Sequence, residues 1–200
     1  NWWQYYRKRK LMLAAAMGRV LEGLGSGVRL GTTYYNETPR PNVAMLSSSG
    51  TGGAAALRQI AGRFYTRSSN QGTPTSGTLN FIGDQFNDNT SLIQHACQRN
   101  NAFIVTDGFP NDSVAGRNYD RSLHASAPPH APTLAGTVAD HALYHYTRRA
   151  RAGDLRGGLV PPGDAAQPNP DLNTNLHMNT YVVSLGARGV LWPDQADAVS

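Results

Sequence analysis

The chain has 200 residues, of which 40% are hydrophobic and 16% are charged, a composition typical of one folded domain with enough apolar residues to bury a core. Its formal net charge of +5 comes almost wholly from arginine, because Lys8 and Lys10 are the only lysines. No dense basic run follows Lys10, and no apolar run reaches the roughly 20 residues that a membrane helix needs. Arg148, Arg149 and Arg151 lie at a predicted helix end, where cations suit the helix dipole. The charge therefore indicates a solvated face, and it argues against nucleic-acid binding.

The spacing of apolar residues predicts alternating helices and strands. In chain order, the predicted elements are a helix over 5–24, a strand over 28–35, a short strand over 42–46, helices over 54–65 and 75–86, a strand over 102–105, a helix over 133–149 and a strand over 177–185. Long loops rich in glycine, proline and polar residues are expected at 109–132 and 153–174. Thr133 is a plausible N-cap for the fourth helix. Because strands alternate with helices, we expect an α/β domain with a mostly parallel sheet, in which Ile104 and Val183 are buried.

The stretch 101–112 carries the strongest functional signal. A short apolar strand ends there at Thr106-Asp107-Gly108, so a carboxylate stands at a strand end and precedes a glycine that permits a sharp turn. In open α/β sheets, ligands bind outside the carboxyl ends of the strands, and an aspartate there can hold a hard cation. Thr73, in a loop that enters a helix, offers a second hard oxygen. An Asp that caps a tight turn remains the alternative for Asp107.

Other patterns give weaker hypotheses. His141 and His145 are four residues apart on a predicted helix, but the glutamate of a zinc-protease motif is missing. The serine–glycine loop 47–53 lacks the Gly-Lys-Ser/Thr ending of a phosphate-binding loop. The acids near Asp107 accompany no nucleophile or oxyanion signature, so we do not expect an enzyme. Cys97 is alone, and is either an ordinary buried thiol or half of a disulfide with a cysteine outside this segment.

Five short segments carry a family resemblance when they are taken together in chain order: residues 5–9, 72–74, 97–112, 133–144 and 177–189. In this order they resemble the A-type domain of the PilY family of type IV pilus tip-associated adhesins. The resemblance implies a von Willebrand factor A-like fold, which is a doubly wound, mostly parallel sheet with helices on both faces and long loop insertions. It also implies that residues 1–200 are a partial domain of a longer protein.

The resemblance further implies a metal-ion-dependent adhesion site. The superfamily builds it from an Asp-x-Ser-x-Ser loop, a threonine on a second loop and an aspartate on a third. Thr73 and Asp107 match the second and third positions, so the resemblance makes them ligands of Mg²⁺, or of Ca²⁺ or Mn²⁺, with Gly72, Asn111 and Asp112 around them. The Asp-x-Ser-x-Ser motif does not occur in these residues. Because the chain begins inside or just before the first helix, we expect the motif in upstream sequence; the alternative is a degenerate site.

The function implied by the resemblance is a non-enzymatic adhesion or assembly module at a pilus tip, outside the bacterial cell at its surface. Such a module contacts minor pilins and binds a carboxylate of a host surface or protein partner through the cation. The alternative is a structural cap or mechanosensing module without cation-dependent binding, and a hydrolase is the least favoured hypothesis. An extracellular location also implies that Cys97 is paired with a cysteine outside this segment, or is buried if unpaired.

Overall fold

The computed structural model describes residues 9–66, 71–106, 108–112, 114, 136–155, 159–168 and 170–184. These residues form helices α1 (Arg9–Glu22), α2 (Gly53–Thr66), α3 (Thr75–Asp88) and α4 (Val138–Thr147), and strands β1 (Arg29–Leu30), β2 (Leu46–Ser47), β3 (Asn100–Thr106) and β4 (Met178–Ser184). No helix in the described part of the chain is long and apolar enough to cross a membrane. The chain divides into two compact units, residues 1–72 and 73–200. The prediction that residues 1–200 form one partial domain stays a prediction.

The first unit consists of two helices and a short antiparallel strand pair. Helices α1 and α2 pack together, and β1 pairs with β2 beside α2. Leu21 of α1 and Ile60 of α2 are buried where apolar side chains recur at helical spacing. The strand expected over 28–35 is only two residues long, because its partner β2 offers only two residues for pairing.

The serine loop that follows β2 is tied to the turn before β1. The hydroxyl of Ser48 accepts from the Val28 amide at 3.0 Å and donates to the Gly25 carbonyl at 2.9 Å. The hydroxyl of Ser49 accepts from the Gly27 amide at 2.6 Å. These hydroxyls hold two loops together, so Ser48 and Ser49 have a structural role in this unit.

The second unit contains a parallel strand pair with α4 between the strands in sequence. Strands β3 and β4 pair in parallel from Asn100 beside Met178 to Thr106 beside Ser184. This β–α–β order confirms the expectation of an α/β fold with parallel strands. The finer expectation, a doubly wound sheet with helices on both faces, stays a prediction.

Burial alternates along β3, so the pair has an inner and an outer face. Ala102 and Ile104 are each 4% exposed and mark the inner face. Helix α3 contacts β3, and helix α4 contacts β4. Phe103 is 64% exposed and stacks on Tyr181 of the outer face at 4.9 Å between ring centroids. The burial predicted for Ile104 is confirmed. The burial predicted for Val183 is wrong, because it is 46% exposed beside Val105. Val182, which pairs with the buried Ile104, is 52% exposed, so both faces of this end of β4 are accessible.

Helix α4 begins with a capping box, four residues after the predicted N-cap. The Thr137 hydroxyl accepts from the Asp140 amide at 3.3 Å, and the Asp140 carboxylate accepts from the Thr137 amide at 3.0 Å. The helix therefore starts at Val138, and Thr137 is its N-cap. The predicted cap, Thr133, lies outside the described residues.

Cys97 lies in the turn between α3 and β3, and its thiol is exposed. The expectation that an unpaired Cys97 is buried is wrong. Its near neighbours His95 and Arg99 are also exposed, whereas the buried apolar residues of this connection are Leu92 and Ile93, four or more residues before the thiol. Pairing with a cysteine outside this segment stays a prediction.

We predict that Gly83→Ala destabilises the protein, because His145 of α4 packs directly against Gly83 of α3. A Cβ at Gly83 would overlap the buried ring of His145. Overpacking of this kind costs about 1–3 kcal/mol in the free energy of unfolding, and the helix-propensity gain of about 1 kcal/mol offsets only part of the upper range, so we expect a net loss of up to about 2 kcal/mol. Urea denaturation measures the change.

The matched control is Gly62→Ala in α2, where a Cβ meets no heavy atom within 4 Å. Since only propensity changes there, this variant should be slightly more stable than the parent. Equal effects of the two substitutions would contradict the close packing of α3 on α4.

Candidate functional site

A cleft of about 220 Å³ opens at the carboxyl ends of β3 and β4. Its lining comprises the last residue of each strand, the start of α3, the start of α4 and the loop after β3: Thr75, Thr106, Gly108, Phe109, Pro110, Val138, Val182 and Ser184. Parallel strands end at a common edge, so this is the place where α/β sheets usually bind ligands. The sequence predicted a site at this edge.

Thr73 lies directly beside the loop that follows β3. A Cβ at Gly108 would be 3.2 Å from the Thr73 hydroxyl oxygen, and the Thr73 carbonyl accepts from the Asn111 amide at 3.2 Å. The structure therefore brings together two of the predicted loops, those of Thr73 and of residues 108–112. Asp107 lies outside the described residues, so its approach to Thr73 stays a prediction. The Gly72 carbonyl accepts from the Asn36 side chain at 2.7 Å.

The turn at Gly108 is held by a threonine hydroxyl rather than by the glycine alone. The Thr106 hydroxyl accepts from the Gly108 amide at 3.2 Å and lies 3.1 Å from the Gly108 carbonyl, to which it donates. Thr106 is 8% exposed, so this local bond satisfies a polar group at the inner end of the cleft. The chain leaves the strand in a defined direction as a result.

Asp112 caps helix α3 from a distant loop. Its two carboxylate oxygens accept from the amides of Ser76 at 3.0 Å and Gly77 at 2.7 Å. The local N-cap residue is Pro74, whose side chain has no acceptor. Asp112, which lies 36 residues after Ser76, supplies the missing cap. A negative charge also suits the positive end of the helix dipole. This carboxylate was expected near the cation, and that role stays a prediction.

The histidine pair on α4 packs inside the unit. His141 is fully buried and His145 is 5% exposed, with the His145 ring against Gly83. Within the ranges that the structure describes, no three His, Cys, Asp or Glu side chains form a group able to hold a metal ion. Packing between α3 and α4 accounts for the spacing of the two histidines.

A second polar cluster, centred on Asp171, lies near the amino end of β4. One Asp171 oxygen accepts from the Tyr146 hydroxyl and the Asn173 amide, each at 3.1 Å. The other accepts from His177 Nε2 at 2.9 Å and the Asn179 side chain at 2.8 Å. The carboxylate therefore joins the 159–175 loop, α4 and β4.

The electrostatics of this cluster favour an ionised Asp171. Burial opposes the charge, but hydrogen bonds from Asn179 and His177, then the Asn173 amide and the charge of His177, outweigh it and lower the pKa of Asp171 to about 2. Burial, followed by the hydrogen bond to Asp171, raises the pKa of Tyr146. His177 Nδ1 lies 2.6 Å from the Asn175 carbonyl, so both ring nitrogens face acceptors and an imidazolium can donate to both.

Sequence reasoning missed the Asp171 cluster. The available signal was the alternation Asp171-Leu172-Asn173-Thr174-Asn175, in which Asp171 accepts from the Asn173 amide and Asn173 accepts from the Asn175 amide. The partners on α4 and β4 are not visible in such a local pattern. Since each carboxylate oxygen of Asp171 accepts two hydrogen bonds, the cluster braces the loop against α4 and β4.

No protein-family model matches the chain, and comparisons with curated proteins and with solved structures find no significant match.

We predict that Asp112→Ala lowers the free energy of unfolding by about 1–2 kcal/mol, because it removes the cap of α3. Asp112→Asn should cost less, since one acceptor oxygen remains. Chemical denaturation of both variants measures the two losses. Glu22→Ala, a change at an exposed carboxylate at the end of α1, is the control and should leave stability nearly unchanged. If Asp112→Ala behaved like Glu22→Ala, Asp112 would not cap the helix.

We predict that Asp171 stabilises the fold in a pH-dependent manner. Because its pKa is lowered from about 3.9 in the unfolded chain to about 2 in the fold, the contribution is complete above pH about 4 and is lost as the pH falls toward 2. Asp171→Asn should therefore be less stable than the parent at pH 6, and the difference should shrink below pH 4. Denaturation midpoints measured from pH 6 to pH 2 test this. A difference that stayed constant with pH would contradict it.

Proposed function

We propose that this chain is part of a non-enzymatic adhesion or assembly module of a type IV pilus tip, with a von Willebrand factor A-like, doubly wound fold. In this proposal it acts outside the cell, contacts minor pilins and binds a carboxylate of a protein or host surface. The proposed site is the cleft at the carboxyl ends of β3 and β4. Thr73 and Asp107 are its proposed cation ligands.

The observation that carries the proposal is the contact between two loops that are far apart in sequence. The Thr73 hydroxyl lies beside Gly108, the residue that follows Asp107. The resemblance assigns a threonine from one loop and an aspartate from another to the same cation. The close approach of Thr73 to Gly108 supports this assignment, because Gly108 is the neighbour of Asp107 in sequence.

The chemistry of the site fits a hard divalent cation that completes its shell elsewhere. Hydroxyl and carboxylate oxygens suit Mg²⁺, Ca²⁺ and Mn²⁺. Mg²⁺ requires near-octahedral coordination and usually keeps several waters. Two side chains leave positions for water, for upstream serine and aspartate ligands, and for the carboxylate of a partner.

A second candidate function, a structural cap without cation-dependent binding, is favoured by a different observation. Both oxygens of Asp112 accept amide hydrogen bonds from α3, so this carboxylate already has a structural use. Phe109, Pro110 and Val182 also give much of the cleft an apolar wall. Such a wall suits packing against another protein surface without an ion.

We predict that Thr73→Val and Asp107→Ala each weaken Mg²⁺ binding to the full-length protein while leaving its secondary structure intact. Loss of an outer-shell partner of a metal ligand costs about 10–100-fold in affinity, so loss of a ligand should cost at least about tenfold. Isothermal titration with Mg²⁺, Mn²⁺ and Ca²⁺ measures this.

The control is Asp164→Asn, which changes an exposed carboxylate far from the cleft in sequence. It should bind cations as the parent does. Adhesion that persists in excess chelator, together with unchanged titrations of Thr73→Val and Asp107→Ala, would overturn the cation site and favour the structural cap.

A further inference from the structure

Three arginines line a second cleft, of about 390 Å³, where α3 and α4 end. Its lining is Asn87, Arg148, Arg149, Arg151, Ala152, Gly153 and Asp154, and we call it the arginine cleft. Three guanidinium groups and one carboxylate give this lining a formal charge of +2. The sequence pattern had indicated only a solvated basic face at this helix end.

The arginine cleft is separate from the cleft of the proposed function. The segment after α4, which lines the arginine cleft, is held near the amino end of β4, because the Ala150 amide donates to the Leu176 carbonyl at 2.7 Å. The other cleft lies at the carboxyl end of the same seven-residue strand. A strand of that length spans about 20 Å, so the two clefts lie at opposite ends of the sheet.

Arg151 is the fixed element of the arginine cleft. It is 8% exposed, and its guanidinium donates to the Ile93 carbonyl at 2.9 Å and to both carboxylate oxygens of Asp154. These contacts use three of the five N–H donors that a guanidinium carries. Arg151 therefore places a permanent positive charge at the base of the cleft and holds Asp154 beside it.

Arg148 and Arg149 are the other two cations of this lining. Arg148 is exposed, and its guanidinium lies over the Tyr144 ring at 5.3 Å and donates to the Tyr144 hydroxyl at 2.6 Å. These contacts limit the rotamers that Arg148 samples, so less entropy is lost when it binds a ligand. Arg149 is half-buried on the same lining.

The simpler explanation is that these arginines only offset the negative end of the α4 dipole. That effect falls off within the last helical turn. Arg151 lies four residues after the last residue of α4, and its guanidinium contacts the chain after α3 instead. The dipole therefore accounts for Arg148 but not for three guanidinium groups around one cleft.

We propose that the arginine cleft binds a dianionic oxyanion group, phosphate or sulfate, with Arg148 and Arg149 as ligands and Arg151 as a positioning residue. Guanidinium groups recognise such tetrahedral anions through paired, charge-assisted hydrogen bonds. This inference does not depend on the proposed cation site.

The test is to titrate the full chain with inorganic phosphate, inorganic sulfate and acetate at constant ionic strength. The NMR chemical shifts of the protein measure the binding of each anion. Phosphate and sulfate should bind, and acetate should bind at least about tenfold more weakly, because charged hydrogen bonds are lost. Arg148→Gln with Arg149→Gln should weaken phosphate binding at least about tenfold by the same reasoning. The phosphate and sulfate titrations also decide which of the two anions the cleft prefers.

The matched control is Arg19→Gln with Arg58→Gln, which removes two positive charges from exposed positions on α1 and α2. It should leave phosphate binding unchanged. If the double glutamine variant of the cleft fails to fold, Arg148→Lys with Arg149→Lys keeps the charge but loses the paired geometry, and it should still weaken binding. An equal loss in the control, or equal affinity for acetate, would overturn the proposal.

Discussion

The parallel pairing of β3 with β4 is the constraint on which the second unit depends. Its register sets Asn100 beside Met178 and Thr106 beside Ser184, so both strands begin at one edge and end at the other. The chain that links the end of β3 to the start of β4 must therefore cross back to the edge where both strands begin, and α4 is part of this crossover. This geometry places the cleft beside Thr73 at the carboxyl edge, and the Asp171 cluster and the arginine cleft near the amino edge.

Long-range polar contacts, rather than a large core, hold the loops of this unit. Asp112 caps α3 across 36 residues, and Asp171 accepts from Tyr146 across 25. The Asn100 side chain donates to the His177 carbonyl across 77 residues. A buried or half-buried polar group costs free energy unless it is paired, so each contact both satisfies a group and fixes a loop. This is why a chain rich in glycine and proline still presents defined clefts.

The two proposed sites have opposite charge preferences and distinct chemistry. Oxygen ligands at the carboxyl edge suit a hard cation, whereas guanidinium groups at the other end suit an oxyanion. Because a strand of about 20 Å separates them, screening at physiological salt, with a Debye length of about 8 Å, leaves them electrostatically independent. A module with both properties can contact two partners of different chemistry at once.

The sequence by itself determined the types and approximate places of most elements. The start of α3 at Thr75 and the strand around Ile104 follow from local signals, which are helical spacing and a β-branched run. Tertiary structure alone decided that Val183 faces outward, that Asp112 replaces the cap that Pro74 cannot supply, and that Asp171 and Arg151 are held by distant partners. The physical reason is that periodicity reports which side chains share a face, whereas strand pairing and contacts across tens of residues decide which face is covered and which polar groups meet.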